Sequence, residues 1–231
     1  MTKEKTQGFS LREFTCGIIG VGGLGCNIAV HLAGMGAKEL ILCDFDKISE
    51  GNLNRQFLYK KEDIGKEKTE VAGIRLREYA PDVTISAVNK KVTREHIPDD
   101  LRRCDIIFLA ADNKKAREVL SCFCRDNKIP LVLGGIDGFY GKVYLYIPDF
   151  TPCPSCAGML EGKKAEANIS TTAGIVGSFE ASIGVQYLLT KEKSLGGRLT
   201  VYDTDSFSAL SVKPKKNCNY CKNIHKKEET R

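Results

Sequence analysis

Three groups of residues in this chain have types and spacings that suit chemistry. The first is a glycine-rich run, GVGGLG, at 20–25, which joins an apolar segment to a helical one. Glycines at a strand-to-helix turn let the backbone approach a phosphate, and the helix N-terminus behind them offers free N–H groups. The second group is charged, and the third consists of two CxxC pairs, at 153–156 and 218–221. The glycine run alone predicts a nucleotide site without saying which nucleotide binds.

The charged group discriminates between nucleotides. Asp44 ends the second apolar segment, where its carboxylate can accept hydrogen bonds from the ribose of either NAD or ATP. Arg55, Lys68 and Asp112 follow successive predicted strands, so we expect them at one edge of a parallel sheet. Arg and Lys neutralise phosphate charge and Asp can hold Mg²⁺, which suits a triphosphate better than a dinucleotide. Taken singly, Arg55 or Lys68 could equally be a surface charge, and Asp112 a helix N-cap.

The paired cysteines indicate a metal site. Cys153, Cys156, Cys218 and Cys221 can supply four thiolates, the ligand set of a closed tetrahedral zinc site. The first ten residues show no signal-peptide layout, so we expect a cytoplasmic protein with reduced cysteines. A redox CxxC needs only one pair, near a thioredoxin-like βαβ start that is lacking here. Zinc is therefore favoured, and chance or disulfide pairing is the remaining alternative.

The elements that must position these groups alternate between strand-like and helix-like segments. Predicted strands lie at 16–20, 39–43, 83–88, 105–110 and 130–134, and predicted helices at 25–36, 66–79 and 113–127. This alternation is typical of a doubly wound, mainly parallel α/β sheet. The later pattern predicts an antiparallel strand at 138–148, a helix at 172–189 and a closing pair of strands at 198–212.

Composition and charge argue against two classes of partner. The 231 residues are 42% hydrophobic and 28% charged, and much of the net charge of +6 lies in a basic tail. No aromatic side chains interleave with that tail, so we expect a solvated end rather than a nucleic-acid arm. The helix at 172–189 carries Glu180 and is expected to be buried rather than to span a membrane. Its small residues, among them Gly174, Gly177 and Gly184, would let another backbone approach closely.

Several of these motifs, in this order, resemble the ThiF/MoeB/HesA family of ubiquitin-activating-enzyme-like adenylyltransferases. The resemblance covers residues 16–221. It rests on GVGGLG at 20–25, DFDKISEGNLNRQ at 44–56, GKEK at 65–68, ADNKKAR at 111–117, PLVLGG at 130–135 and TTAGIVGS at 171–178. It implies a Rossmann-like doubly wound sheet extended by antiparallel strands, with a structural zinc site in the C-terminal third.

The resemblance also implies roles for individual residues. Asp44 matches the ribose-binding acid, and Asn52 and Arg55 match the polar pair that holds the ATP phosphates. Lys68 matches the phosphate lysine, and Asp112 matches the magnesium-associated aspartate. The surrounding nucleotide site matches Gly20, Gly22, Gly23 and Gln56, and the zinc site of MoeB-like members matches Cys153, Cys156, Cys218 and Cys221.

The reaction implied by the resemblance is adenylation of a small ubiquitin-like sulfur carrier that ends in Gly-Gly. Its terminal carboxylate attacks the α-phosphorus of ATP, giving an acyl-adenylate and pyrophosphate. We expect a homodimer with no nucleic-acid or membrane partner. Thiamine, molybdopterin, cysteine and tRNA sulfur routes all use such enzymes, and the sequence does not choose among them.

A single adenylation domain is expected. Its parts are a leading segment at 1–15, a nucleotide-binding half at 16–135, a carrier-binding and zinc half at 136–221, and a basic tail at 222–231.

Two departures from the family pattern change the expected chemistry. Some relatives carry a cysteine just before the TAG motif that takes part in thioester or persulfide chemistry. Here residues 168–171 are Asn-Ile-Ser-Thr, so adenylation with sulfur from a separate donor is expected. Residues 1–15 also lack the helical arm whose arginine can reach the second subunit's ATP site.

Two alternative functions stay open. An NAD-dependent oxidoreductase would use the glycine run and Asp44, but it leaves Arg55, Lys68 and the CxxC pairs unexplained. A catalytically silent scaffold that docks a carrier protein is the other alternative, and the intact motifs argue against it.

Overall fold

Eight strands form one sheet in the computed structural model, which describes residues 9–160, 168–204, 206–216, 218 and 221. The strands are β1 Thr15–Ile19, β2 Glu39–Cys43, β3 Thr84–Val88, β4 Ile106–Leu109, β5 Leu131–Asp137, β6 Tyr140–Tyr146, β7 Arg198–Asp203 and β8 Ser206–Ser211. Their order across the sheet is β3-β2-β1-β4-β5-β6-β7-β8. The predicted basic tail at 222–231 lies outside the described residues, as do residues 1–8 of the leading segment.

The sheet is parallel from β3 through β5 and antiparallel from β5 through β8. This mixed sheet confirms the predicted Rossmann-like arrangement with an antiparallel extension. Because β2 pairs with one side of β1 and β4 with the other, the chain reverses direction across the sheet between β1 and β4. In open α/β sheets, ligands bind outside the carboxyl ends of the strands at such a switch point.

In the described part of the chain, four α-helices cover the two faces of the sheet. They are α1 Gly23–Gly34, α2 Lys68–Tyr79, α3 Lys114–Asn127 and α4 Ser170–Thr190. The first, second and fourth pack on one face, where their apolar residues join those of alternate strand positions in one core cluster. The third packs on the opposite face, where Leu120, Phe123 and Cys124 meet Ile107 and Leu131. Strands buried on both faces explain why the sequence shows continuous apolar runs there.

Small residues of α4 allow close packing, as predicted, but not at every position. A side chain at Gly177 would lie 2.9 Å from the carbonyl oxygen of Leu24 in α1, and one at Gly184 would collide with Phe108 of β4. Gly174, in contrast, faces open space. Within the described ranges, neither α4 nor any other helix is both long and apolar enough to cross a bilayer.

The glycine turn between β1 and α1 requires glycine at two positions, because a side chain at either one would approach backbone atoms too closely. Gly20 has a φ of +90°, and a Cβ there would lie 3.0 Å from the backbone of Ala110, so only glycine fits without strain. A Cβ on Gly25 would collide with the carbonyl oxygen of Gly20. The turn therefore folds back on the first turn of its own helix while it touches the end of β4.

A buried carboxyl group lies behind the end of β5. Glu180 of α4 is fully buried, and neither of its carboxyl oxygens has a hydrogen-bond partner among the described residues. It occupies the space that a side chain on Gly134 would fill. Burial raises the pKa of Glu180 well above its ordinary value, and the charge of Arg117 offsets this only in part. Burial therefore favours the protonated form of Glu180 in the folded protein.

Gly25→Ala tests the close turn. Because the added methyl group meets a backbone atom that cannot swing aside, we expect a loss of roughly 1–3 kcal/mol in the free energy of unfolding, measured in urea. Gly174→Ala is the matched control: its methyl group meets nothing, and alanine favours the helix by roughly 0.8–1 kcal/mol. Equal effects of the two substitutions would contradict the described turn.

Glu180→Gln tests the buried carboxyl group. Above a pH of about 4.3 the unfolded chain releases the Glu180 proton while the folded chain keeps it, so wild-type stability falls as pH rises until the folded pKa is passed. Glutamine removes this dependence. We therefore expect the variant to gain stability over the wild type as the pH rises above about 4.3 and until the folded pKa is passed, by up to about 1.4 kcal/mol per pH unit.

The control for this titration is Glu70→Gln, which makes the same substitution on the exposed surface of α2. Unfolding free energies measured across pH should separate the two variants. A Glu180→Gln advantage that does not grow with pH would show that the carboxyl group ionises in the folded protein as it does in the unfolded chain.

Candidate functional site

A cleft of about 510 Å³ opens at the switch point between β1 and β4. Its walls come from the glycine turn, the loops after β2, β3 and β4, and the β5–β6 hairpin. All the predicted nucleotide-site residues line it: Gly20, Gly22, Gly23, Asp44, Asn52, Arg55, Gln56, Lys68 and Asp112. The structure thus brings together residues that span more than ninety positions of the sequence.

Asp44 joins the glycine turn to the loop after β2. The residue is 8% exposed; Oδ2 accepts the N–H of Val21 at 2.7 Å, and Oδ1 accepts the N–H of Asp46 at 2.9 Å. Each carboxylate oxygen has two lone pairs, so acceptor capacity remains toward the cleft. The carboxylate can therefore hold the turn in place and still receive a hydroxyl group.

The loop after β2 places two polar side chains through a short helical turn at Glu50–Asn52. Asn52 Oδ1 accepts the N–H of Ser49 at 3.2 Å, which fixes the side chain at the start of this turn. Arg55 follows, and its Nη1 donates to the carbonyl of Gly51 at 2.9 Å and to Asn54 at 2.7 Å. The aliphatic part of Arg55 lies 3.4 Å from the position of a Cβ on Gly23. The guanidinium is therefore held beside the start of α1.

Gln56 is buried at the same place. It is 3% exposed, and its Nε2 lies 3.6 Å from where a Cβ on Gly22 would be. Its Oε1 has no hydrogen-bond partner in the described part of the chain. A buried amide next to the glycine turn with an unused acceptor is consistent with a polar ligand in the cleft.

Lys68 begins α2 and is 6% exposed. Its ammonium group donates to Oδ2 of Asp46 at 3.1 Å, and its carbonyl lies 3.3 Å from the hydroxyl of Tyr59. That hydroxyl also lies 2.8 Å from the carbonyl of Val21 in the glycine turn. Sequence reasoning missed both Asp46 and Tyr59, although the Asp-Phe-Asp spacing after β2 was a signal for the first.

Asp112 is exposed in the cleft just after β4. The residue that caps α3 is Asn113, whose Oδ1 accepts the N–H of Ala116 at 3.2 Å. The alternative interpretation of Asp112 as an N-cap is therefore wrong. Its carboxylate is left for another partner.

Cations outnumber carboxylates along the cleft. The cationic side chains are Arg55, Lys68, Lys90, Lys91, Lys114, Arg117 and Lys142, and the carboxylates are Asp44, Asp46, Asp112 and Asp137. An excess of positive charge in a concave site attracts a polyanion. Lys90, Lys91 and Lys142 were not predicted, because no local pattern ties a single lysine to a distant wall.

The β5–β6 hairpin and two nearby segments also line the cleft. Ile136 and Tyr140 of the hairpin lie in its wall, together with Met159, Leu160 and Asn168. Asp137 and Lys142 belong to the same hairpin, so this wall combines apolar and charged side chains.

A cluster of four cysteines lies on the α3 face of the sheet. The sulfur atoms of Cys153, Cys156, Cys218 and Cys221 all lie within 4.8 Å of one another. Individual pairs are 3.4 Å (Cys153–Cys218), 3.6 Å (Cys156–Cys221) and 3.8 Å (Cys153–Cys156) apart. Tetrahedral zinc with Zn–S bonds of about 2.3 Å requires sulfur atoms about 3.8 Å apart. The prediction that the two CxxC pairs meet is confirmed, and the donor set fits a divalent metal.

The surroundings of the cluster also suit thiolates. The backbone N–H of Cys153 donates to the sulfur of Cys221 at 3.2 Å, and that of Lys215 donates to the sulfur of Cys156 at 3.3 Å. A hydrogen bond with Cys221, followed by burial, raises the pKa of Cys153, since both favour the neutral thiol. A bound cation would reverse this effect, because metal binding releases thiol protons.

Cys16 and Cys43 are buried in β1 and β2, and Cys43 also lines the cleft. Cys26 packs against the glycine turn, with its sulfur 3.4 Å from the carbonyl of Val21, and burial raises its pKa to about 12. His31 is exposed on α1, and its Nε2 lies 2.9 Å from the hydroxyl of Ser178.

Comparison with known proteins gives the chain a family. The model of the ThiF family matches residues 4–223. The SAMP-activating enzyme E1 of Haloferax volcanii is 30% identical over 213 residues, which cover 88% of this chain and 78% of that protein. The sulfur carrier protein ThiS adenylyltransferase of Escherichia coli is 31% identical over 213 residues, which cover 88% of this chain and 84% of that protein.

The fold agrees with solved structures as well. The crystal structure of Escherichia coli MccB with ATP superposes with a TM-score of 0.81 at 21% identity, covering 94% of this chain and 68% of that one. At this identity the likeness shows the fold alone. The predicted resemblance to the ThiF/MoeB/HesA group is confirmed, and the prediction of an adenylyltransferase agrees with the named relative. The chain belongs to the ThiF family.

Proposed function

We propose that this protein is an ATP-dependent adenylyltransferase that activates the C-terminal glycine of a small ubiquitin-like sulfur carrier ending in Gly-Gly. The observation that carries the proposal is the cationic cleft at the switch point, where Arg55, Lys68 and Asp112 converge beside the glycine turn. The names of two relatives, which refer to a sulfur carrier protein and to SAMP, support the carrier class. The chain would act as a single adenylation domain.

The phosphates of ATP would lie between the glycine turn and the cations. The start of α1 offers backbone N–H groups and a positive dipole end to an anion. Arg55 and Asn52 would hold the phosphates from the loop after β2, and Lys68 from the start of α2. Since Lys68 is paired with Asp46 at 3.1 Å, phosphate binding would share or replace that ion pair. Asp44 would accept the ribose hydroxyls.

The residues at the cleft also fit Mg²⁺. Mg²⁺ is held by one or two carboxylates together with phosphates and waters, and Asp112 presents an exposed carboxylate that does not cap its helix. Asp112 would therefore hold the ion against the phosphates. Bound there, Mg²⁺ supplies neutralisation of phosphate charge.

The chemistry needs positioning rather than a general base. A terminal carboxylate is already ionised near neutral pH. One of its oxygens attacks the α-phosphorus, the bond between that phosphorus and the oxygen bridging to the β-phosphate breaks, and pyrophosphate leaves with the electron pair. The protein's contribution is to align the groups and to offset the charge of two anions brought together. This explains a site rich in Arg, Lys and Asp.

The carrier tail would enter along the part of the cleft that is lined by Ile136, Tyr140 and Leu160, whose apolar side chains suit an extended chain. Residues 168–171 carry no cysteine, so no thioester or persulfide on this loop is proposed, and sulfur would come from a separate donor. Which carrier and which sulfur route are used stays open.

A structural zinc ion is proposed at the four-cysteine cluster. The sulfur spacing and the backbone N–H groups directed at two of the sulfurs support it. The ion would fasten the segment after β6 to the end of the described chain. A homodimer is proposed on the family resemblance.

Arg55→Ala and Asp112→Ala test the adenylation site. We expect each to lower ATP–pyrophosphate exchange by roughly 100-fold or more, because each removes a charged group that acts on the phosphates. The assay uses purified protein, ATP, Mg²⁺ and Gly-Gly-ended carriers, with the ThiS protein of Escherichia coli as the first probe. Arg94→Ala and Asp82→Ala are charge-matched controls at exposed positions outside the cleft.

Unchanged exchange in both site variants would contradict the assignment. Calorimetry adds a second check, since preference for NAD over ATP with Mg²⁺ would favour the oxidoreductase. Carrier binding without any ATP turnover would favour the silent scaffold.

Cys218→Ser tests the zinc proposal. Elemental analysis of the wild type should give one zinc ion per chain, and the variant should lose it because a closed site needs all four sulfurs. We expect the melting temperature to fall by roughly 5 °C or more, since 1 kcal/mol corresponds to about 2–4 °C in a chain of this size. Cys122→Ser, on α3 and outside the cluster, should retain the zinc. A wild type free of zinc after purification without chelator would refute the proposal.

A further inference from the structure

Arg117, on the first turn of α3, connects three separate segments around the cleft. Its Nε donates to the carbonyl of Ala111 at 3.0 Å, Nη1 to the carbonyl of Met159 at 3.1 Å, and Nη2 to the carbonyl of Gly134 at 2.6 Å. These carbonyls belong to the loop after β4, the segment before residue 161, and β5. One guanidinium therefore satisfies three backbone acceptors that no secondary structure brings together.

The acceptor on Ala111 matters most for function, because Ala111 directly precedes Asp112. Asp112 lies outside the helix, and its neighbour Asn113 forms the helix cap. The Asp112 backbone is therefore held on one side by the cap and on the other by the bond from Arg117 to Ala111. Loss of the second restraint would leave the Asp112 carboxylate with more orientations.

The two glycines of β5 make this geometry possible. Successive strand residues face opposite sides of the sheet, so Gly134 faces Glu180 of α4 and Gly135 faces Arg117. A Cβ on Gly135 would lie 3.4 Å from Nη2 of Arg117, which leaves room for the guanidinium but not for a larger side chain. The glycine pair thus lets a guanidinium and a carboxyl group approach the same strand end from opposite faces.

The charged groups around Arg117 are consistent with its guanidinium acting as a fixed positive charge near Asp112. Burial lowers the pKa of Arg117, while Glu180 and Asp112 raise it, and a guanidinium stays protonated in proteins in any case. Asp112 is therefore one of the two acids on which the charge of Arg117 acts. The planar fork of Arg also suits three acceptors, which one lysine ammonium could not serve in the same geometry.

We propose that Arg117 is a positioning residue for the nucleotide site, which orients Asp112 through the carbonyl of Ala111 and ties that loop to β5 and to the wall at Met159. This inference rests on the proposed function, in which Asp112 holds Mg²⁺ against the ATP phosphates. Residues that orient a metal-binding side chain change metal affinity or activity by about 10–100-fold when mutated.

The test measures how much Mg²⁺ improves ATP binding, by calorimetry with ATP in the presence of Mg²⁺ and in its absence, without any carrier. The variants are Arg117→Gln, Arg117→Lys, Asp112→Asn and the double variant Arg117→Gln/Asp112→Asn, each checked for its melting temperature. Arg125→Gln on the same helix, outside the cleft, is the matched control. The wild type should gain affinity with Mg²⁺, and Asp112→Asn should lose that gain.

Arg117→Gln should reduce the Mg²⁺ gain about tenfold or more, and in the Asp112→Asn background it should cost little further, because both changes act through one carboxylate. Arg117→Lys should also show a reduced Mg²⁺ gain in ATP affinity. If Arg117→Gln does not fold, Arg117→Lys takes its place in the comparison. The control should match the wild type.

Several outcomes would overturn the inference. The inference is wrong if Arg117→Gln keeps the wild-type Mg²⁺ gain in ATP affinity, if the losses of the two single variants add fully in the double variant, or if Arg117→Lys keeps the full gain. None of these results would contradict the proposed function. A wild type that does not bind ATP with Mg²⁺, or an Asp112→Asn variant with an unchanged gain, would instead overturn the proposed role of Asp112 and the inference with it.

Discussion

The hydrogen bond from the N–H of Val21 to the carboxylate of Asp44 is the contact on which the site depends. It joins the glycine turn to the loop after β2 at 2.7 Å, and the second carboxylate oxygen holds Asp46 at 2.9 Å. Asp46 in turn pairs with the buried ammonium of Lys68. A single acid therefore links the predicted anion-binding turn to the nearest buried cation. The Asp44 carboxylate therefore already accepts two backbone hydrogen bonds before any ribose binds.

The sequence predicted the elements whose signals are local. The apolar runs, the glycine turn and the CxxC pairs each lie within a few residues, and they led to the correct sheet and to the right edge of it. The positions of the loops after β2 and β4 could also be predicted, because loops that follow parallel strands lie at the same edge of the sheet. Arg55, Lys68 and Asp112 were expected there from their places after successive strands, and the family resemblance added Asn52 and Gln56.

Contacts between distant segments could not be predicted in the same way. Lys68 meets Asp46 across 22 positions, Arg117 reaches the carbonyl of Met159 across 42, and Glu180 is buried against the strand at Gly134. Each depends on how helices pack on the sheet, which a periodic pattern does not specify. The short segment from Cys153 to Met159 is an example. One of its ends belongs to the cysteine cluster and the other to the cleft wall.

The most direct measurement follows the oxygen of the attacking carboxylate. A Gly-Gly-ended carrier with ¹⁸O in its terminal carboxylate is incubated with the protein, ATP and Mg²⁺, and the adenylate is then cleaved at its carbonyl with hydroxylamine. The account predicts AMP that carries one ¹⁸O atom and pyrophosphate that carries none. Label in inorganic phosphate, with ADP as the other product, would show attack at the γ-phosphorus and contradict adenylation in this cleft.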